Sequence, residues 1–224
     1  LIIGNIAQGG ILMGKHTLTP LPPVESLLQK GITRFLVLDY DGVFNASARG
    51  TFKKQYFNPT HCERHPNPYY VKKARYWEDY EPKTYELAWS AELVSAVNDM
   101  ASSADTLVVW LTTWREHMGA VMQRMGLCFH NEAYYLPWGE DNRDWHHAKK
   151  RTAFHDAFYG VSDLCPTAKA IWVDDEAFEF TSVQTDDCLK NTLIRNTVLL
   201  VKPDYRYGIS RAELDTMKHF WGNS

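Results

Sequence analysis

The chain has 224 residues, 45% of them hydrophobic and 23% charged, with a formal charge of −3. That is enough chain to bury a core in one α/β domain carrying an insertion, and the charge rules out a global attraction to nucleic acid or membrane. No run is long and apolar enough to span a bilayer, and the first residues lack the basic start of a secretory signal. Cys62, Cys128, Cys165 and Cys188 are scattered, with no Cys-x-x-Cys pair, which favours a reducing, cytoplasmic setting. No feature specifies an oligomer.

Residues 1–22 read as an N-terminal extension. Met13 opens a more ordinary start than Leu1, so residues 1–12 read as vector-derived or trimmed and are set aside. Pro20, Pro22 and Pro23 form a stiff lead-in to a short helix over 24–30, stopped by Gly31. Phe35 to Leu38 is a continuous apolar run met at once by Asp39, Tyr40, Asp41 and Gly42, the pattern of a buried parallel strand that delivers charge at its end. On a still-extended backbone Asp39 and Asp41 share one side. Two carboxylates so close are offset most simply by a hard divalent cation such as Mg²⁺. The same residues also suit a capped strand end with turn-forming acids.

From Ala46 to about Trp89 the pattern is neither helical nor a tidy strand series, and it is too long for an ordinary connection. It reads as an insertion, a cap or flap, packed near the strand exit. Between Arg49 and Tyr76 it carries Arg49, Lys53, Lys54, Arg64, Lys72, Lys73 and Arg75 against the single acid Glu63, interleaved with Phe52, Tyr56, Phe57, Tyr69, Tyr70 and Tyr76. Basic and aromatic residues together suit a phosphate backbone and stacked bases. The plainer reading is a solvated flap whose aromatics pack on the body. His61, Cys62 and His65 have some of the character of a zinc site but lack an evident fourth ligand.

Tyr85 to Trp89 reads as a returning strand, and Ser90 caps a helix over 91–101. Thr106 to Leu111 is a second buried strand ending in Thr112, Thr113 and Trp114, followed by a helix over 115–125 that Gly126 closes. Residues 128–147 are loop-rich. A helix over 148–158 ends at Gly160, Ala170 to Val173 is a third buried strand ending in Asp174 and Asp175, and 197–201 is a fourth. Ser210 and Glu213 form a capping box for the last helix, through about Trp221. Strand and helix alternate, so the sheet is largely parallel.

Three buried strands thus end, in order, in two spaced acids, in two threonines and in two adjacent acids, and the helix before the last carries Lys149 and Lys150. Parallel strands present their carboxyl ends on one edge, where all four groups can converge. This ordered set resembles the haloacid dehalogenase superfamily of aspartate-nucleophile phosphohydrolases, over roughly residues 33–221. Asp39 to Val43 is similar to its first motif, Thr112 to its second, Lys149 or Lys150 to its third, and Asp174 with Asp175 to its fourth. Within it, Val109 to Trp114, Trp172 to Glu176 and Gly208 to Ser210 resemble a bacterial and phage branch related to the domain of that superfamily found in Swiss Army Knife RNA repair-like proteins. The long basic and aromatic insertion departs from compact members.

The resemblance implies a Rossmann-like three-layer α/β/α domain over 23–224 with the insertion at about 46–89. It implies Asp39 as nucleophile and Asp41 as acid and base. Mg²⁺ would be held by Asp39, by Asp41 through its backbone carbonyl, and by Asp174 and Asp175. Thr112 with Thr113, and Lys150 in preference to Lys149, would bind the phosphoryl group. The expected substrate is a phosphate monoester, either a phosphorylated small molecule such as a nucleotide or a nucleic-acid end. A regulatory phosphoryl-binding module of the same fold is the alternative, and a kinase is disfavoured because the Gly-x-x-x-x-Gly-Lys loop is missing.

Overall fold

The computed structural model describes residues 17–73, 80–139, 147–176 and 197–222, with backbone alone for 68–73, 80, 81 and 147–149. In chain order the elements are β1 (Thr19–Pro20), α1 (Val24–Gln29), β2 (Arg34–Leu38), β3 (His61–Lys73), β4 (Tyr80–Trp89), α2 (Ala91–Met100), β5 (Thr106–Trp110), a 3₁₀ turn (Arg115–His117), α3 (Met118–Met125), β6 (Tyr134–Tyr135), α4 (His147–Phe158), α5 (Val161–Leu164), β7 (Lys169–Val173), β8 (Val198–Val201) and α6 (Arg211–Phe220). Six strands form one sheet in the order β1-β6-β5-β2-β7-β8, and every pairing in it is parallel.

The apolar runs read from the sequence are the middle of this sheet. Leu36, Leu38, Val108, Trp110, Ile171 and Val173 enter one core with Leu93 and Val97 of α2, Met118 and Val121 of α3, and Leu214 and Met217 of α6. Their alternating neighbours Phe35, Val37, Leu107, Val109, Ala170 and Trp172 enter a second core with Val24 and Leu27 of α1 and Phe154 and Phe158 of α4. A strand buried on both faces has no need to alternate polar with apolar, which is why these runs are continuous.

The chain leaves β2 for β5 and β6 on one side, then crosses to β7 and β8 on the other. The carboxyl end of β2 is therefore the point where the winding reverses, the usual place for a crevice in such sheets. Leu38 stands in register with Trp110 and with Val173, and the Asp39 amide donates to the Val173 carbonyl at 2.9 Å. Asp39 and Asp174 accordingly emerge side by side.

Three expectations need correction. The sheet starts earlier than residue 23, because Thr19 and Pro20 pair with Tyr134 and Tyr135, inside the stretch read as loop; two-residue strands carry no periodicity to read. The stretch from 46 to 89 contains a long antiparallel hairpin, β3 with β4, of which the expected strand at 85–89 is only the end. Pro66 and Pro68 hid β3, yet a two-stranded ribbon leaves each strand an edge where a missing N–H costs little. Thirdly, the helix expected from Arg115 begins as a 3₁₀ turn and becomes α-helical only at Met118, since Arg115 sits at φ +47°.

The capping signals hold. The Ser90 side chain accepts from the Leu93 amide, Gly126 is left-handed at the end of α3, and Ser210 and Glu213 make both halves of their box. Among the described residues no helix is long and apolar enough to cross a membrane.

Candidate functional site

Asp39, Asp41 and Lys150 line one cavity of about 470 Å³ at the carboxyl ends of β2 and β7, together with Thr113, Asp175 and Trp138. Its volume suits a ligand of small-molecule size. Tyr40, between the two acids, is fully buried on the opposite side, with its ring against Phe44 and Trp114. The alternation read from the sequence thus aims both acids into the cavity.

Lys150 is placed by its helix. Phe154, one turn along α4, stacks on Trp172 of β7 at 4.5 Å between ring centroids, a contact worth roughly 0.5–1.5 kcal/mol beyond area burial. Residues four apart share a helix face, so this contact turns Lys150 toward the sheet. Its ammonium, 4% exposed as a residue, donates to Asp39 Oδ2 and to Asp174 Oδ2, the latter at 3.0 Å, and lies 5.9 Å from the centre of the Trp138 ring. Burial works against the charge, but Asp39 and Asp174 outweigh it and push the lysine above its ordinary value. The Lys149 side chain lies outside the described residues.

The other oxygens of these acids meet backbone donors. Asp39 Oδ1 accepts the Tyr40 amide at 2.7 Å, and Asp174 Oδ1 accepts the Glu176 amide at 2.9 Å. Burial, then repulsion from neighbouring acids, raises Asp175 to about 7. Asp174 is raised to about 6, chiefly by burial. One oxygen each of Asp39, Asp174 and Asp175 lie within 4.8 Å of one another.

This donor set fits a hard divalent cation. Its members are carboxylate oxygens, as Mg²⁺ and Ca²⁺ prefer, and the raised carboxyls mark charge disfavoured by burial and then by repulsion, which a bound cation would offset. The Asp41 carboxylate is not in the group. It accepts from Asn45 Nδ2 at 2.8 Å and from Trp114 Nε1 at 3.1 Å. Burial raises its pKa, these two bonds lower it in part, and Asp39 adds to the rise.

Thr112 is fully buried, and its hydroxyl accepts the Trp114 amide at 3.4 Å; Thr113 is the threonine on the cavity wall. Trp138 is fastened beside them by its indole, which donates to the Thr112 carbonyl at 3.3 Å. His61, Cys62 and His65 lie in β3 and join no group of three metal-ligating side chains among the described residues.

The basic and aromatic stretch divides. Phe52 and Phe57 are buried, and Tyr56 stacks on Tyr207 at 4.7 Å, so these aromatics pack on the body. Among its bases whose side chains are described, Arg49 alone reaches the cavity wall, where it also pairs with Glu86 at 2.6 Å. Tyr69, Tyr70, Lys72, Lys73, Arg75 and Tyr76 lie outside the residues whose side chains are described.

The sequence alone assigns no role to Asn45, Trp114 or Trp138. Trp114 stands at the end of the run from Val109, but the partner it shares with Asn45, Asp41, is visible only once the chain is folded. No protein-family model matches the chain, and no curated protein or solved structure matches it.

Proposed function

We propose that the chain is a Mg²⁺-dependent phosphohydrolase of the haloacid dehalogenase type, a Rossmann-like three-layer domain whose hairpin forms a cap or flap after its first long strand. The observation that carries this reading is Lys150 bridging Asp39 and Asp174 beside Asp41, at the point where the sheet's winding reverses.

Asp39 attacks the phosphorus in line, and the bond from phosphorus to the leaving oxygen breaks as the aspartyl-phosphate forms. The Asp41 carboxyl gives its proton to that leaving oxygen. Water then attacks the same phosphorus and loses its proton to Asp41, and the bond to Asp39 breaks to release phosphate. Lys150 supplies fixed positive charge beside the nucleophile, and the Thr113 hydroxyl on the cavity wall would meet the phosphoryl oxygens, with Thr112 buried behind it. A Mg²⁺ ion held by Asp39, Asp174, Asp175 and the Asp41 carbonyl would neutralise charge on the phosphoryl oxygens.

The substrate in this reading is a phosphate monoester, a nucleotide or a nucleic-acid end, favoured by Arg49 and the aromatic walls Tyr85, Trp138 and Tyr205. A cytoplasmic setting accords with Cys62, Cys128 and Cys165, all unbridged. The deciding experiment is phosphate release by wild type and Asp39→Asn, with and without Mg²⁺, on p-nitrophenyl phosphate, nucleoside monophosphates and 3′- or 5′-phosphorylated oligonucleotides. Release that needs both Mg²⁺ and Asp39 supports the enzyme. Silence on every substrate rejects it in favour of a phosphoryl-binding module, and full activity in Asp39→Asn rejects the aspartyl-phosphate mechanism.

A further inference from the structure

Asp41 has an N–H donor on each carboxylate oxygen, and both donors, set on the chain just beyond β2 and β5, also contact the hairpin. Asn45 donates to Oδ1 at 2.8 Å. The Asn45 carbonyl oxygen in turn accepts the Ala88 amide of β4 at 2.9 Å, and its Nδ2 also reaches the Glu86 carbonyl at 3.3 Å. With its oxygen committed to an N–H, the amide group has only its nitrogen to offer Asp41.

Trp114 Nε1 donates to Oδ2 at 3.1 Å. Its ring, 1% exposed, meets the edges of His65 and Tyr85 at 5.9 and 5.7 Å between centroids, and these two residues face each other across β3 and β4. A free carboxyl rotates broadly about its last side-chain torsion. Two donors on two oxygens hold it in one plane. The indole and amide nitrogens are donors that neither take up nor release a proton in this range, so they orient Asp41 without competing for its proton.

We propose that Asn45 and Trp114 are positioning residues for Asp41, and that through them the β3–β4 hairpin sets the angle at which the carboxyl group meets the leaving oxygen and, later, the attacking water. The inference rests on the phosphohydrolase reading above and deepens it. A carboxyl free to swing spends less time aligned with the oxygen it must protonate, and small misplacements at a reacting centre cost large factors in rate.

The test compares wild type, Trp114→Phe, Asn45→Ala, Asp39→Asn, Asp41→Asn and the Asp41→Asn/Trp114→Phe double variant, in Mg²⁺. Substrates are p-nitrophenyl phosphate, whose leaving group needs little protonation, and a nucleoside 5′-monophosphate, whose leaving group needs it. Trp114→Phe keeps a ring against His65 and Tyr85 while removing the donor, so it carries the test if Asn45→Ala loosens the hairpin. Its kcat on the nucleotide should fall about tenfold with KM within about twofold, while first-turnover release of nitrophenolate changes by less than about threefold. In the Asp41→Asn background the same substitution should add less than about a twofold loss, because its effect runs through Asp41.

An unchanged kcat, equal losses on both substrates, or a further tenfold loss without Asp41 overturns the inference. If wild type is active and Asp39→Asn dead, such a result condemns the positioning role alone. A wild type without Mg²⁺-dependent hydrolysis, or an Asp39→Asn variant as active as wild type, overturns the phosphohydrolase reading and this inference with it.

Discussion

Gly42 lies directly against the Asp175 carboxylate: a Cβ built at Gly42 would stand 2.3 Å from Asp175 Cγ and 2.5 Å from its Oδ1. The residue also has φ +72°, where L side chains are strained. Asp175 belongs to the carboxylate triplet, so anything that displaces it opens the candidate metal site. Gly42→Ala should therefore weaken Mg²⁺ binding at least tenfold and cost about 1–3 kcal/mol of stability. Calorimetric titration with Mg²⁺ and urea unfolding measure the two effects, and a variant with unchanged Mg²⁺ affinity would contradict the placement of Asp175 as a ligand.

The same triplet dictates a pH dependence. Asp174 and Asp175 rise from 3.8 to about 6 and about 7, so the folded chain holds protons that the unfolded chain has already released. The stability this pair contributes in the metal-free protein is fully present below the unfolded value, declines as pH rises, and is lost as pH passes through about 6 and then about 7. A cation binds the ionised forms and must displace those protons. Mg²⁺ should thus raise the melting temperature more at pH 8 than at pH 5.5, with proton release on binding that titration in buffers of different ionisation enthalpy would register. Equal Mg²⁺ affinity at both pH values would refute the linkage.

Gly208 makes a second close approach, with a built Cβ only 2.4 Å from the Val43 carbonyl oxygen and φ +72°. The next amide, of Ile209, donates to that same carbonyl at 3.1 Å and ties the start of α6 to the chain just beyond Asp41. The neighbour is backbone and cannot swing aside. Gly208→Ala should cost about 1–3 kcal/mol and lower the melting temperature by about 2–10 °C for a domain of this size. A melting curve superposable on wild type would show that the loop yields freely.

How far the sequence discloses this arrangement depends on whether each signal is local. Phe35 to Leu38, Thr106 to Trp110 and Ala170 to Val173 are legible because strands buried on both faces are unbroken apolar runs. The acids that follow them are legible because their register carries them to one edge. Phe154, one turn along α4 from Lys150, is an apolar residue at helical spacing, a local signal, and its stacking on Trp172 fixes the helix face. The bond from Trp114 to Asp41 spans 73 positions, and no spacing announces it. β3 is hidden by its prolines, and which of Thr112 and Thr113 faces the cavity is a choice that two identical adjacent residues cannot signal; it is Thr113.

Lys150 bears the heaviest electrostatic load among these residues, since its ammonium is buried between Asp39 and Asp174, themselves buried. Replacing it with Met keeps the length and removes the charge, leaving two carboxylates close together without their shared cation. Removing one partner of a buried ionic group costs about 3–5 kcal/mol, and Lys150→Met should destabilise the metal-free chain by that order at pH 8. Protonating the carboxylates relieves their repulsion, so the deficit should shrink as pH falls toward 5. Mg²⁺ supplies positive charge to the same oxygens and should recover part of the stability but not the turnover, because the lysine's place beside the nucleophile stays empty of charge. Urea unfolding at pH 5 and pH 8, with and without Mg²⁺, separates these effects. A variant as stable as wild type at pH 8 without Mg²⁺ would mean that Lys150 contributes through the packing of its stem, which Met retains, rather than by holding the two acids together.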